Sequence, residues 1–235
     1  MPEGQIIVTG ASRGIGAAIA AELASRGFTV AALSRSGAAA HGYGLVCDMT
    51  DEAAVARTIR SIAERGPIVG LVNNAGAQRA EPSATLTAAE FESTMRLNAT
   101  SVLVASREAY PHLKAAGGGL IVNMGSFFDK LGVARNLAYC ASKAAIGAIT
   151  RCLAVEWARD NISVIDIAPG YIETDLNRDF LASDKIRSWL ARRVPVGRPG
   201  QPNEVARLIG VLFAERIDFL TGETIYIDGG HGMNH

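Results

Sequence analysis

Seven short runs rich in β-branched residues recur along the chain, separated for most of its length by longer segments with helical spacing of apolar residues. The runs are "QIIVTG", "FTVAALS", "YGLVCD", "IVGLVNNAG", "GLIVNMGS", "ISVIDIAPG" and "TIYIDGG". Several are almost continuously apolar, as strands covered on both faces are. Between them stand "IGAAIAAELASRG", "DEAAVARTIRSIAERG", the segments 87–116 and 137–160, and "PNEVARLIGVLFAE". Thr87 with Glu90 has the spacing of a capping box, and Pro202 occupies a position that a first helical turn tolerates. Alternation of this kind predicts an α/β fold, a doubly wound parallel sheet of about seven strands with helices on both faces. The 235 residues, 49% of them hydrophobic, suit one well-buried domain spanning 1–235.

In such a sheet ligands bind beyond the carboxyl ends of the strands. Here those ends are glycine-rich and polar: Gly10, Asp48, 73–76, Gly125 with Ser126, and Pro169 with Gly170. The stretch "TGASRGIG" follows the first strand and opens the first helix, and it holds Gly10, Ser12, Arg13, Gly14, Ile15 and Gly16. Glycines there permit a tight turn and close approach of a pyrophosphate, while the helix start presents unpaired N–H groups to the phosphates. The loop reads as a dinucleotide cradle. A site that prefers NAD usually ends its second strand in an acid that binds the adenosine ribose, but this chain has Ser34 and Arg35. With Arg13 on the other side, the two guanidinium groups favour a ribose phosphate, and so NADP(H) over NAD(H).

Tyr139 and Lys143 stand four apart in a helical segment and share a face. A neighbouring ammonium is expected to lower the phenol's pKa toward a working range for acid–base catalysis. Ser126, ending the strand before, is placed to hold a substrate oxygen near that phenol.

Equal numbers of basic and acidic residues, 23 of each, argue against nucleic acid or an anionic membrane as partner. The three cysteines form no metal-ligand spacing, His112 and His231 have no metal partners, and no metal site is expected. The N-terminus lacks a basic region followed by an apolar stretch, so a soluble, cytoplasmic protein is expected.

Together these motifs resemble the short-chain dehydrogenases/reductases of the compact type, over essentially the whole chain and in the family's order. "TGASRGIG" is similar to the family's cofactor loop. "CDMT", with Asp48 and Met49, resembles the adenine-contacting strand end, and "NNAG", with Asn74, Ala75 and Gly76, the fourth-strand motif. "LNAT" supplies Asn98, "NMGS" Ser126 and "YCASK" Tyr139 with Lys143. "PGYIET", with Pro169, Gly170, Ile172 and Thr174, resembles the turn that meets the nicotinamide side.

The resemblance implies a tetrad of Asn98, Ser126, Tyr139 and Lys143. In it Tyr139 protonates the carbonyl oxygen during reduction, Lys143 also binds the nicotinamide ribose, and Asn98 keeps a water in line with Lys143. It also implies a homotetramer pairing the segments 87–116 and 137–160, where small residues such as Ala105, Ala109, Ala144, Ala145 and Gly147 permit close approach. Overall similarity is to 3-oxoacyl-carrier-protein reductases, yet the basic residues expected to meet an acidic carrier are thin here, with Lys114 and Arg159 opposed by Asp160. Two further departures stand out. The stretch "SGAAAHGYGLVC" is too short for a helix plus a full strand, and Ile165 or Asp166 stands where the family commonly has asparagine.

A substrate lid is expected over 175–199, with Phe180, Leu181 and Trp189. Phe127, Phe128 and Tyr171 beside the tetrad suit an apolar pocket for a small or medium ketone or secondary alcohol. The function expected is hydride transfer between NADP(H) and such a substrate. The alternatives are an NAD-dependent sugar, polyol or cyclic alcohol dehydrogenase, and a non-catalytic dinucleotide-sensing protein on the same fold.

Overall fold

The computed structural model describes residues 4–234 other than Leu176, Arg178, Phe180 and Ala182, so Phe180 of the expected lid lies outside the described residues. The seven apolar runs are strands of one sheet: β1 (Gln5–Thr9), β2 (Thr29–Ser34), β3 (Tyr43–Val46), β4 (Ile68–Asn73), β5 (Gly119–Met124), β6 (Ile162–Pro169) and β7 (Thr224–Ile227). Their order is β3-β2-β1-β4-β5-β6-β7, and every pairing is parallel. The helices are α1 (Gly14–Ser25), α2 (Glu52–Ala63), α3 (Ala88–Met95), α4 (Ser101–Ala115), α5 (Leu137–Trp157), α6 (Asp184–Arg193) and α7 (Pro202–Glu215).

The sheet separates two cores. On one side Ile6, Val8, Val30 and Ile165 pack with Ile19 and Leu23 of α1 and Val205, Ile209 and Phe213 of α7. On the other Ile7, Leu33, Leu71, Ile121 and Val164 pack with Val55 and Ile59 of α2, Ala105 and Leu113 of α4, and Leu153 of α5. Each of the largest buried side chains contributes about 1.5–3 kcal/mol by leaving water, which accounts for strands that are apolar on both faces.

Local signals explain the boundaries. Thr87 and Glu90 close the expected capping box at α3, and Pro202 opens α7. The segment 87–116 is not one regular helix: a π turn (Arg96–Thr100) joins α3 to α4. Between β2 and β3 no helix forms, as the short stretch required, and Gly37 and Gly42 turn the chain at φ +69° and +76°.

A polar row crosses this apolar sheet. Asn73 of β4, Asn123 of β5, Asp166 of β6 and Thr224 of β7 are register partners in turn. Asn73 Nδ2 donates to Asn123 Oδ1 (2.9 Å) and to Ser106 Oγ of α4 (3.0 Å), and Asn123 Nδ2 donates to Thr150 Oγ1 of α5 (2.9 Å). The row fixes α4 and α5 against the sheet, one strand residue below the site.

Candidate active site

The glycine loop begins where β1 ends. Gly10 and Gly14 have φ of +66° and +56°, conformations that other residues rarely adopt. A Cβ on Gly16 would run into the Gly10 carbonyl and Asn74 Nδ2, so the first turn of α1 packs directly on the loop. Asn74 binds the loop in return, Nδ2 donating to Thr9 O (2.9 Å) and Gly10 O (3.2 Å), while Thr9 Oγ1 accepts from the Asn74 and Ala75 amides (2.9 and 3.0 Å). Arg13 caps α1 in extended conformation without a side-chain hydrogen bond, and no acid stands in the first turn. The helix start is therefore left open to an anion, which is what a pyrophosphate needs. The residues present fit a dinucleotide cofactor.

The residues expected at the adenosine end of a cofactor lie at β2 and β3. The Ala11 amide donates to Leu33 O (3.2 Å), bringing the loop to the end of β2, and the Cys47 amide donates to Ser34 O (2.9 Å). Ser34 is buried with its Oγ 3.2 Å from Ser36 Oγ, whereas Arg13 and Arg35 are exposed. Asp48 Oδ1 accepts from Thr50 N (2.9 Å) and Thr50 Oγ1 (2.8 Å), and these bonds, with the nearby Arg35, hold its carboxyl below the usual range. Met49 lines a cavity of about 760 Å³ between α2 and the α3–α4 segment.

A second cavity, of about 250 Å³, collects most of the rest of the expected site, Ala75 and Asn98 standing outside its lining. Ser126, Tyr139 and Lys143 line it together with Ile15, Asn74, Gly76, Pro169, Gly170, Ile172 and Thr174. Thr174 also reaches the glycine loop, since a Cβ on Gly14 would lie 3.6 Å from its Cγ2. Asn98, in the π turn, donates through Nδ2 to Ala77 O (2.8 Å) and Ser142 Oγ (3.0 Å), and its Oδ1 accepts from the Ala77 amide (2.9 Å). Its side chain is thus spent on clamping the loop after β4 to α5. A Cβ on Gly76 would lie 3.3 Å from Asn98 Oδ1 and 3.7 Å from Lys143 Nζ, so both come to the same glycine.

Lys143 is buried, its Nζ donating to Met124 O at 2.6 Å and standing 5.7 Å from the Tyr139 ring centroid. Burial lowers its pKa to about 8, with Asp166 acting in the opposite direction. The expectation that this ammonium lowers the Tyr139 pKa is corrected by the structure. Burial raises the phenol, the Ser126 hydroxyl opposes the rise, and removing a phenolate from water outweighs what its neighbours return. Tyr139 is therefore held as a neutral phenol near pH 7.

One wall is aromatic. Phe127 and Phe128, on the turn after Ser126, stand 4.7 Å apart by centroid, and Tyr171 lies 5.3 Å from Phe127. Phe128 meets the Tyr139 ring edge-on at 5.9 Å, and Trp189 of α6 meets Tyr171 at 5.6 Å. Leu181, Leu190 and Val194 form a small apolar cluster beneath Trp189. His231 closes the group from the C-terminal turn, 5.0 Å from Phe127 and 5.6 Å from Tyr171; the sequence carried no signal for this, because the residue follows the last strand run and belongs to none of the site motifs. Lys114 Nζ pairs with Asp160 Oδ1 at 2.9 Å, so part of the thin basic surface is neutralised within the chain. Among the described residues no group of three His, Cys, Asp or Glu is arranged to hold a metal ion, and no helix is long and apolar enough to cross a membrane.

The family model described as "Enoyl-(Acyl carrier protein) reductase" matches residues 10–232. The chain belongs to the short-chain dehydrogenases/reductases. It is 36% identical over 242 residues to the 3-oxoacyl-[acyl-carrier-protein] reductase FabG of Vibrio harveyi, covering 98% of both chains. It is 34% identical over 232 residues to MabA of Mycobacterium tuberculosis, a reductase of the same description, covering 98% of this chain and 93% of that one. A gluconate 5-dehydrogenase from Burkholderia cenocepacia, solved with NADP and tartrate, superposes with a TM-score of 0.92 at 31% identity, covering 100% of this chain and 97% of that one. As a short-chain dehydrogenase/reductase the protein is an NAD(P)-dependent oxidoreductase acting between CH–OH and carbonyl groups.

Proposed function

We propose that the protein is an NADP(H)-dependent reductase of small or medium ketones with apolar substituents, with Tyr139 as general acid. The observation that carries this reading is the convergence of Ser126, Tyr139 and Lys143 with Ile15, Asn74 and Gly76 of the cofactor cradle on one cavity. The bound cofactor supplies a hydride. Ser126 holds the substrate oxygen, and the neutral Tyr139 phenol gives it a proton, the form that reduction requires. Lys143 is anchored on Met124 O, and its remaining N–H groups would bind the cofactor ribose and serve the proton path. With the Asn98 side chain engaged by Ala77 and Ser142, a relay water at this position would have to be held by its main chain. The 175–199 segment acts as the lid through Trp189 and its apolar neighbours.

The aromatic wall favours apolar ketones over sugars, and the internal pairing of Lys114 weighs against an acyl-carrier substrate. The likeness to a gluconate dehydrogenase keeps an NAD(P)-linked polyol oxidation as the second reading, separated by testing ketones and polyols side by side. A purely dinucleotide-sensing protein would bind cofactor and turn over neither.

Cofactor preference rests on Arg13, at the start of α1, and Arg35, just after β2, both exposed. Titration of nicotinamide fluorescence is expected to show tighter binding of NADPH than NADH. Arg35→Ala and Arg13→Ala are each expected to weaken NADPH about tenfold, the loss of one charge-assisted contact, with NADH little changed. Equal loss for both cofactors would remove the arginines from phosphate recognition.

The proposal includes a cytoplasmic location and a homotetramer. Ala105 and Ala109 pack into the chain's own core and Gly147 is buried, so close approach between copies is left to Ala144 and Ala145. Leu103 and Val155, 44% and 81% exposed on α4 and α5, supply apolar surface there. Light scattering at micromolar concentration is expected to give four times the 24.7 kDa chain mass, and a monodisperse monomer would refute it.

A further inference from the structure

Asp166 is a buried acid that the proposed reaction does not use. It has no exposed surface, and its strand neighbour Ile165 faces the opposite core among apolar side chains. Of its two carboxylate oxygens, Oδ2 accepts from Thr224 Oγ1 at 3.1 Å, while Oδ1 is buried without a hydrogen-bond partner. An ionised oxygen left in that condition is costly unless a positive charge stands near it.

The surroundings name that charge. The carboxylate fills the space beneath Gly125, where a Cβ would collide with both oxygens, the farther only 2.7 Å away. Gly125 joins Met124, whose carbonyl holds Lys143 Nζ, to Ser126. The Gly125 amide is committed to Ile167 O at 2.8 Å, so β6 is locked to this peptide one residue past Asp166. Charged and titratable groups approach from three elements. Lys143 comes from α5, with Arg151 two turns on folded back to within 3.3 Å of a Cβ on Gly147. Asp129 comes from the turn after β5, and Tyr226 from β7. Tyr226 Oη donates to Asp129 Oδ2 at 2.6 Å, and Lys130 covers the Tyr226 ring at 3.5 Å. Lys143 is the cation whose charge reaches Asp166, across the Met124–Gly125 peptide and at a separation longer than a contact ion pair, and the two acids interact unfavourably.

We infer that Asp166 is a positioning residue for Lys143, a buried counter-charge inserted under Gly125 that keeps the ammonium charged and seated on the Met124 carbonyl. It touches no reacting atom. The inference rests on the reading of Lys143 as part of the reaction, but its physical content, one buried charge holding another, is measurable without turnover. Burial drives the two groups toward neutrality, to about 8 for Lys143 and about 6 for Asp166, and their attraction opposes that drift on both sides. Between those values both are charged, the window in which the pair supports the site.

The chain has four lysines, Lys114, Lys130, Lys143 and Lys185, so the ε-carbons of ¹³C-labelled lysine give few signals, with Lys143 assigned by its loss in Lys143→Met. In folded wild type, Asp166→Asn and Asp166→Val, the Lys143 midpoint is followed by NMR between pH 6 and 10. Without the counter-charge the midpoint is expected to fall by about one pH unit, the lower end of what an opposite charge contributes from just beyond contact. The alkaline limb of kcat/KM in any ketone reduction is expected to fall with it. The valine variant keeps the test open if the asparagine variant does not fold, since it places a strand-compatible apolar side chain of similar size there. An unchanged or raised midpoint in the folded variant overturns the inference, whether or not the protein proves to be a reductase. A lowered midpoint in an enzyme without carbonyl or alcohol turnover upholds the pair and overturns only the proposed function.

Discussion

Tyr139→Phe is expected to lower turnover of a ketone substrate by about a thousandfold, within the range that one positioned proton donor contributes, while NADPH affinity stays within about twofold. The substitution removes one oxygen and keeps the ring, so the edge-on packing at Phe128 and the fit of α5 against the turn after β5 survive. Lys143 keeps its anchor on Met124 O, which does not depend on the phenol, and the glycine loop is untouched. Parallel measurements of steady-state reduction and fluorescence titration separate the two effects. A variant with turnover close to wild type would take the phenol out of the reaction and leave Ser126 and Lys143 to be explained otherwise. A variant that loses both activity and cofactor binding would point to a structural role, which the retained ring packing argues against.

The fold was legible because a parallel sheet covered on both faces makes its strands continuously apolar, and because the breaks between them carry glycine, proline and capping residues with definite local effects. Thr87 with Glu90 and Pro202 mark real helix starts for that reason. The same continuity hid other features. In a strand buried on both faces alternation assigns no side, so nothing in "SVIDIAPG" told which of Ile165 and Asp166 would face α5; the register with Asn123 and Thr224 decides it. The π turn at Asn98 leaves the apolar spacing of 87–116 almost intact and is visible only as a change of hydrogen bonding. Residue spacing brought Tyr139 and Lys143 onto one face but could not weigh burial against charge, and burial wins at the phenol. His231 reaches the aromatic wall through the chain's last turn, a long-range contact with no local signature.

The second large effect is on stability, and its sign follows from the same buried pair. The Asp166 carboxyl titrates near 6 in the fold against an ordinary 3.8, so between about pH 4 and 6 the native state holds a proton that the unfolded chain has lost. Unfolding then releases that proton, and stability falls as pH rises through this window, in total by on the order of 3 kcal/mol. Lys143, near 8 in the fold against an ordinary 10.5, works the other way: from about pH 8 to 10.5 the unfolded chain holds the extra proton, and stability recovers as pH rises. The pair alone thus carves a trough in the stability curve between about pH 6 and 8. Carboxyls whose values are lowered by hydrogen bonds, Asp48 and Glu204 among them, add a rise with pH below that window and overlie its acid edge. Subtracting the urea-unfolding curve of Asp166→Asn removes those shared contributions. The difference is expected to decline from pH 4 to 6, because the variant lacks the titrating acid there while Lys143 remains charged in both proteins. A difference that is flat or that climbs across this interval would mean that Asp166 is not the buried, proton-retaining acid described. The lysine would then sit in the catalytic floor without a partner, and no trough would remain, because Lys143 alone gives only a rise from about pH 8 to 10.5.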